Sequence, residues 1–114
     1  MLKEGDKILV AHRRLFHGDT AHYFAGRVDA YEDGLVKVTG RSYVRDPYTG
    51  AMIEKTEPRT KILAVASGTL IVYELPATVA VEALTFSWAD GRLTASDGQG
   101  FTMNLGEVAL RGQT

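Results

Sequence analysis

Gly26-Arg27-Val28-Asp29-Ala30-Tyr31-Glu32-Asp33-Gly34-Leu35-Val36-Lys37-Val38 is the stretch that decides how this chain folds. Apolar and polar residues alternate on either side of a Glu-Asp-Gly turn, the pattern of two half-buried antiparallel strands. A three-residue loop at Glu32-Asp33-Gly34, with Gly34 supplying positive φ, pairs Tyr31 with Leu35, Ala30 with Val36, Asp29 with Lys37 and Val28 with Val38. Phe24, Gly26, Val28, Ala30, Val36 and Val38 then share one face, and Asp29 opposes Lys37 on the solvent side. A two-residue loop at Asp33-Gly34 sets Val38 against Asp29 and mixes the faces. A slip of one residue moves every side chain to the wrong side, so the three-residue loop is expected.

Outward from this hairpin, Asp46-Pro47-Tyr48-Thr49-Gly50 is a second turn. Pro47 presets φ, Asp46 accepts backbone hydrogen bonds and Gly50 closes with positive φ. Its polar flanks, 41–46 and 51–57, suit a hairpin that projects past the core, with Val44 and Ile53 as an inward pair. Pro58 restricts the pairing after it to an edge or a bulge. Ile62-Leu63-Ala64-Val65-Ala66 and Leu70-Ile71-Val72-Tyr73 flank Ser67-Gly68. Strands apolar on both faces need cover on both sides. Residues 76–84 suit a helical turn or an extended connector equally well.

The cover is expected from the C-terminal part. An Asp90-Gly91 turn pairs Trp88 with Leu93 and Phe86 with Ala95, and Phe101, Met103 and Leu105 continue the same apolar face. Trp88 is expected to lie buried against Phe86, Leu93 and Phe101. The fold class is therefore all-β: a small antiparallel barrel over 6–75 with an added C-terminal β-meander over 84–105, one domain across 1–114.

Composition fits that reading. At 114 residues, 45% hydrophobic and 24% charged, the chain can bury one core. It has no cysteine, which excludes disulfides, thiolate zinc sites and cysteine nucleophiles. No apolar run of about 18 residues is present, and Met1-Leu2-Lys3-Glu4-Gly5-Asp6 lacks a secretory signal, so a cytoplasmic protein without membrane contact is expected. Net charge is −1, but residues 1–62 carry eleven Lys/Arg against nine Asp/Glu, and 63–114 carry two against five.

Few residues suggest chemistry. His12, His17 and His22 flank Asp19, and three histidines can hold zinc, although steps of five alternate faces of a strand. Ser67 lacks the strand–turn–helix setting of a nucleophile, and Gly98-Gln99-Gly100 lacks the helix that would hold a phosphate. Arg41, Arg45, Lys55, Arg59 and Lys61, interleaved with Tyr43 and Tyr48, form a basic and aromatic patch on the projecting hairpin. That combination suits phosphate contact and base stacking. No cofactor is expected.

The strand from Gly26 through the turn to Val38, followed after a variable hairpin by Leu63-Ala64-Val65-Ala66-Ser67-Gly68-Thr69-Leu70-Ile71-Val72, resembles the two motifs of Sm-like proteins over residues 6–75. Other small barrels of the SH3 type share much of this pattern. The resemblance implies ring-forming subunits and single-stranded RNA bound at the two turns. Glu32 stands where the family has Asp, Gly34 near its uridine-contacting Asn, and Ser67-Gly68 where it has Arg-Gly. With that Asn and Arg absent, the implied outcome is the fold without the standard uridine pocket.

The expected function is a non-enzymatic binding or assembly module, homo-oligomeric through the 69–75 strand edge, which is too apolar to stand free. The alternatives are an RNA-binding protein using the 41–61 hairpin with the 32–34 and 67–68 turns, and a small metal-dependent enzyme centred on the three histidines.

Overall fold

A computed structural model describes residues 1–13, 21–89 and 91–105, with the side chain of residue 89 excepted. Nine strands follow in order: β1 (Lys7–His12), β2 (His22–Glu32), β3 (Leu35–Arg45), β4 (Met52–Glu54), β5 (Arg59–Ala64), β6 (Leu70–Leu75), β7 (Thr85–Ala89), β8 (Arg92–Ser96) and β9 (Thr102–Asn104). Between β6 and β7 lies one 3₁₀ turn, Val81–Ala83, and the described residues contain no α-helix. All strand pairs are antiparallel. The larger sheet runs β4-β3-β2-β1-β6, with β5 on the same edge of β3 as β4; the smaller runs β7-β8-β9.

The deciding turn differs from expectation. Glu32 pairs with Leu35, so the loop is the two residues Asp33 and Gly34, both at positive φ (52° and 80°). That is the backbone a two-residue hairpin favours, because its twist matches that of the strands. The register is restored by a bulge: Val28 still pairs with Val38, Ala30 moves to Lys37, and Asp29 is the extra residue. Ala30 is consequently exposed, and Tyr31 takes the inward position next to Val36. Asp29 accepts from the Thr39 hydroxyl (2.6 Å) instead of facing Lys37.

Gly26 and Gly40 face each other across β2 and β3. A Cβ built on Gly26 runs into the Thr39 carbonyl, and one on Gly40 runs into the Ala25 carbonyl. The two backbones approach this closely only because neither residue has a side chain.

The larger sheet carries a core on each face, yet the expected two-sided cover fails for β5, whose Ile62 and Ala64 are exposed. One face carries Ile8, Val10, Phe24, Val28, Val36 and Val38, packed with Leu63, Leu70 and Val72 from β5 and β6. All of these belong to one sheet, so the sheet must curl round its own core. Curling does not close it: among the described residues β5 pairs only with β3, and β6 only with β1. The other face offers Leu9, Ala25, Tyr43 and Leu75 to Leu93, Ala95 and Leu105 of the C-terminal part. Val79, Val81 and Leu84 of the connector complete this second core. Lys7 Nζ donates to the Ala77 and Val79 carbonyls (2.7 and 2.5 Å), and Asp97 accepts from the amides of Ala80, Gln99 and Phe101 (3.0, 2.8 and 3.1 Å), tying connector and meander to the sheet.

The meander registers as expected, Trp88 with Leu93 and Phe86 with Ala95. Trp88 itself is not buried; it is 45% exposed. It shares a face with Phe86 but lies two residues farther along β7, beside Arg45 and the 46–51 turn. Val44 and Ile53 also pair as expected, yet Ile53 is 45% exposed, because the β3–β4 hairpin extends past the core. The edge strand on β3 is broken at 55–58, where Pro58 lies.

Candidate nucleic-acid interface

The expected site residues divide between the two ends of β3, an eleven-residue strand. At its start, the Glu32–Gly34 turn meets the Ser67-Gly68 loop through the Val65 amide, which donates to the Gly34 carbonyl (2.9 Å). A guanidinium does stand beside the second turn. It is that of Arg13, which donates to the Gly68 carbonyl (2.9 Å) and was not legible in sequence, because a strand end 55 residues away supplies it. Ser67 Oγ bonds Thr69 Oγ1 (2.7 Å). These groups are spent on holding the loop.

At the other end, the patch separates by strand alternation. Tyr43 is taken into the core; it is 3% exposed and donates to the Leu84 carbonyl (3.2 Å). Burial first, and Glu54 second, push its hydroxyl up to about 12, while Arg41 acts weakly the other way. It cannot stack on a ligand base. Arg41 pairs loosely with Glu54 (3.6 Å).

Lys55, Arg59 and Lys61 converge with His22, Ser42 and Thr56 around a cleft of about 360 Å³. Glu57 is the one acidic residue in its lining, and it pairs with Arg59 (3.2 Å). The Lys55 amide donates to the Ser42 carbonyl (2.8 Å) and so bends the chain round the cleft. Lys61 rises from the inward face of β5, over the Phe24 ring (4.6 Å), and donates to Ser42 Oγ (3.2 Å). Burial and then Arg59 hold its ammonium below its ordinary value. Both partners are neutral, so this cation is poised to take an anion.

His12 and His22 pair across β1 and β2 and stack at 4.3 Å beside this cleft. Neither Nε2 has a hydrogen-bond partner among the described residues. Burial is the main cause that lowers both: His22 falls to about 4, with His12 and Lys61 adding to the effect, and Lys61 also lowers His12. His17 lies outside the described residues, and among those described no three His, Asp or Glu side chains gather to hold a metal.

Stability should therefore depend on pH. The unfolded chain binds a proton at His22 near 6.5 and the folded chain only near 4, so stability is complete above about 6.5 and falls as pH drops toward 4. That interval is worth about 3 kcal/mol, which solvent at the open mouth reduces to about 1–2 kcal/mol. Urea melts from pH 7.5 to 4.5 should show this loss, and His22→Phe should remove most of it.

A further residue packs against the projecting hairpin from β7. The Trp88 indole donates to the Gly50 carbonyl (2.9 Å), and the Arg45 guanidinium lies 5.3 Å from the ring centroid. Tyr48, at the tip, is 95% exposed. Sequence reasoning placed Trp88 in the core because period two reports the face of a strand and not its depth. Comparison with protein-family models, curated proteins and solved structures finds no match to this chain.

Proposed function

We propose that this protein is a non-enzymatic binding and assembly module, of the small-barrel kind that Sm-like proteins represent, and that its ligand is the phosphate backbone of a single-stranded nucleic acid. The observation that carries the reading is the convergence of Lys55, Arg59 and Lys61 on one cleft, with Lys61 bonded, among the described residues, to a neutral hydroxyl. A phosphate gives Lys61 a charge partner in place of the water that burial removed, and each phosphate contact releases a counterion. The meeting of the two motif turns through Val65 and Gly34 supports the family likeness.

Replacing Lys55 and Arg59 together by alanine should leave the melting temperature nearly unchanged, since exposed charges contribute little stability. The same change should flatten the salt dependence of oligonucleotide affinity by about 1–1.5 in log–log slope, at roughly 0.7 per lost phosphate contact. Unaltered affinity and slope overturn the reading.

Self-assembly is favoured by a separate observation. Among the described residues the outer edges of β5 and β6 carry no strand, and the meander covers a face of β6 and not its edge. Ile62 and Leu35, 67% and 49% exposed, add apolar surface beside the first of these edges. A β5 edge set against the β6 edge of a second copy satisfies both strands. Light scattering should give a multiple of the 12.4 kDa chain mass at micromolar concentration, and a single-chain mass up to millimolar overturns the assembly.

A further inference from the structure

Trp88 is the chain's only tryptophan and stands 45% exposed at the far end of β7. A large aromatic outside the core calls for an account, because burying it elsewhere in the meander would contribute far more stability. Nor is it loose. Its indole N–H is fixed on the Gly50 carbonyl (2.9 Å), and Arg45 lies against the ring at 5.3 Å. The turn that supplies Gly50 is itself braced: the Tyr48 amide donates to Asp46 Oδ1 (2.8 Å), the Gly50 amide to the Asp46 carbonyl (2.8 Å), and the Asp46 amide to the Ala51 carbonyl (2.8 Å). Tyr48 is thereby presented on an ordered tip, 95% exposed. Tyr48 and the Arg45 guanidinium thus sit on one braced hairpin, Trp88 is docked against it from β7, and the hairpin's continuation through Lys55 leads into the basic cleft.

We infer that Trp88, Arg45 and Tyr48 form a stacking platform for unpaired bases. The inference rests on the proposal that the cleft holds a nucleic-acid backbone, and it narrows the ligand to single strands with accessible bases. A base offers an apolar face to Trp88 or Tyr48 and a π-surface to Arg45, whereas in a duplex those faces are covered by neighbouring base pairs. Large purine rings gain more from stacking than pyrimidines, so adenine-rich strands should bind more tightly than uridine-rich ones. The cleft supplies charge attraction without regard to bases; the platform supplies the preference for unpaired ones.

The lone tryptophan reports directly. An oligoadenylate of about eight nucleotides, a length within the site sizes of single-strand binders, should quench Trp88 emission as it binds. RNA and DNA versions show whether the ribose matters. A duplex of the same length and an inorganic polyphosphate should bind, if at all, without quenching. Trp88→Ala should weaken oligoadenylate affinity by about tenfold or more, and Trp88→Phe by much less, as expected for stacking. Tyr48→Ala, at a position too exposed to affect folding, should weaken it in the same sense. Oligoadenylate binding with unchanged emission, or with full affinity in both alanine variants, overturns the platform. Quenching of equal depth by a neutral oligosaccharide or an uncharged apolar peptide overturns it as well. Polyphosphate separates the two proposals: if its binding is lost in the Lys55→Ala/Arg59→Ala variant while Trp88 stays silent to oligoadenylate, the cleft stands and the platform falls. If Trp88 is quenched by oligoadenylate but affinity ignores Lys55 and Arg59, the platform stands and the cleft falls.

Discussion

Phe24→Ala should cost about 3–5 kcal/mol, a large part of what a domain of this size has. The ring has no exposure and lies among Ile8, Val10, Val28, Val36 and Val38, in a core built by one sheet curling on itself. No second layer stands ready to collapse into the vacated space, so the cavity term should be near its maximum. The loss also reaches the cleft, because Lys61 Nζ rests over the Phe24 ring at 4.6 Å. Denaturant melts should show the midpoint falling sharply, with Phe24→Leu recovering most of the stability. A loss below about 1 kcal/mol means this core is looser than its packing indicates.

Gly40→Ala should be comparably severe, at about 3 kcal/mol or more, although it adds a single methyl group. That methyl meets the Ala25 carbonyl and the Gly26 Cα, all backbone, on the strand that pairs with β3. A flexible side chain could swing aside; a hydrogen-bonded strand cannot do so without parting from its partner. Gly26→Ala meets the Thr39 carbonyl and should behave in the same way. Gly68→Ala makes a useful control: nothing stands within 4 Å of its Cβ, and only the positive φ of 84° opposes the change. It should cost about 1 kcal/mol. Far-UV circular dichroism and thermal melts of the three variants check the order, and a Gly40 variant as stable as the Gly68 variant contradicts the close crossing.

Much of the strand pairing was legible. Period-two alternation placed Val28 opposite Val38, Trp88 opposite Leu93 and Phe86 opposite Ala95, all as found. The loop between the first pair was misjudged. Simple pairing treats every residue as one step, while a bulge at Asp29 takes an extra one, and no local signal distinguishes it from a longer turn. Of the candidate site, Lys55, Arg59 and Lys61 were visible as a charge cluster and are brought together; Tyr43 was visible as an aromatic and is consumed by the core. Arg13 was missed, since its partner is remote in the chain.

The sequence by itself determined the alternation of the strands, the cross-strand pairs Val28–Val38, Trp88–Leu93 and Phe86–Ala95, and the meander as the covering layer. Each follows from short-range patterning, in which φ preferences and side-chain alternation act within a few residues. Only the tertiary structure decided which surfaces are free. Trp88 stands outside because the meander's apolar face outreaches the sheet it covers, and among the described residues β5 and β6 keep open edges because a curled sheet has to bring its ends within hydrogen-bond distance to close. Depth and closure depend on the relative size and curvature of whole layers, and no local run of residues encodes those.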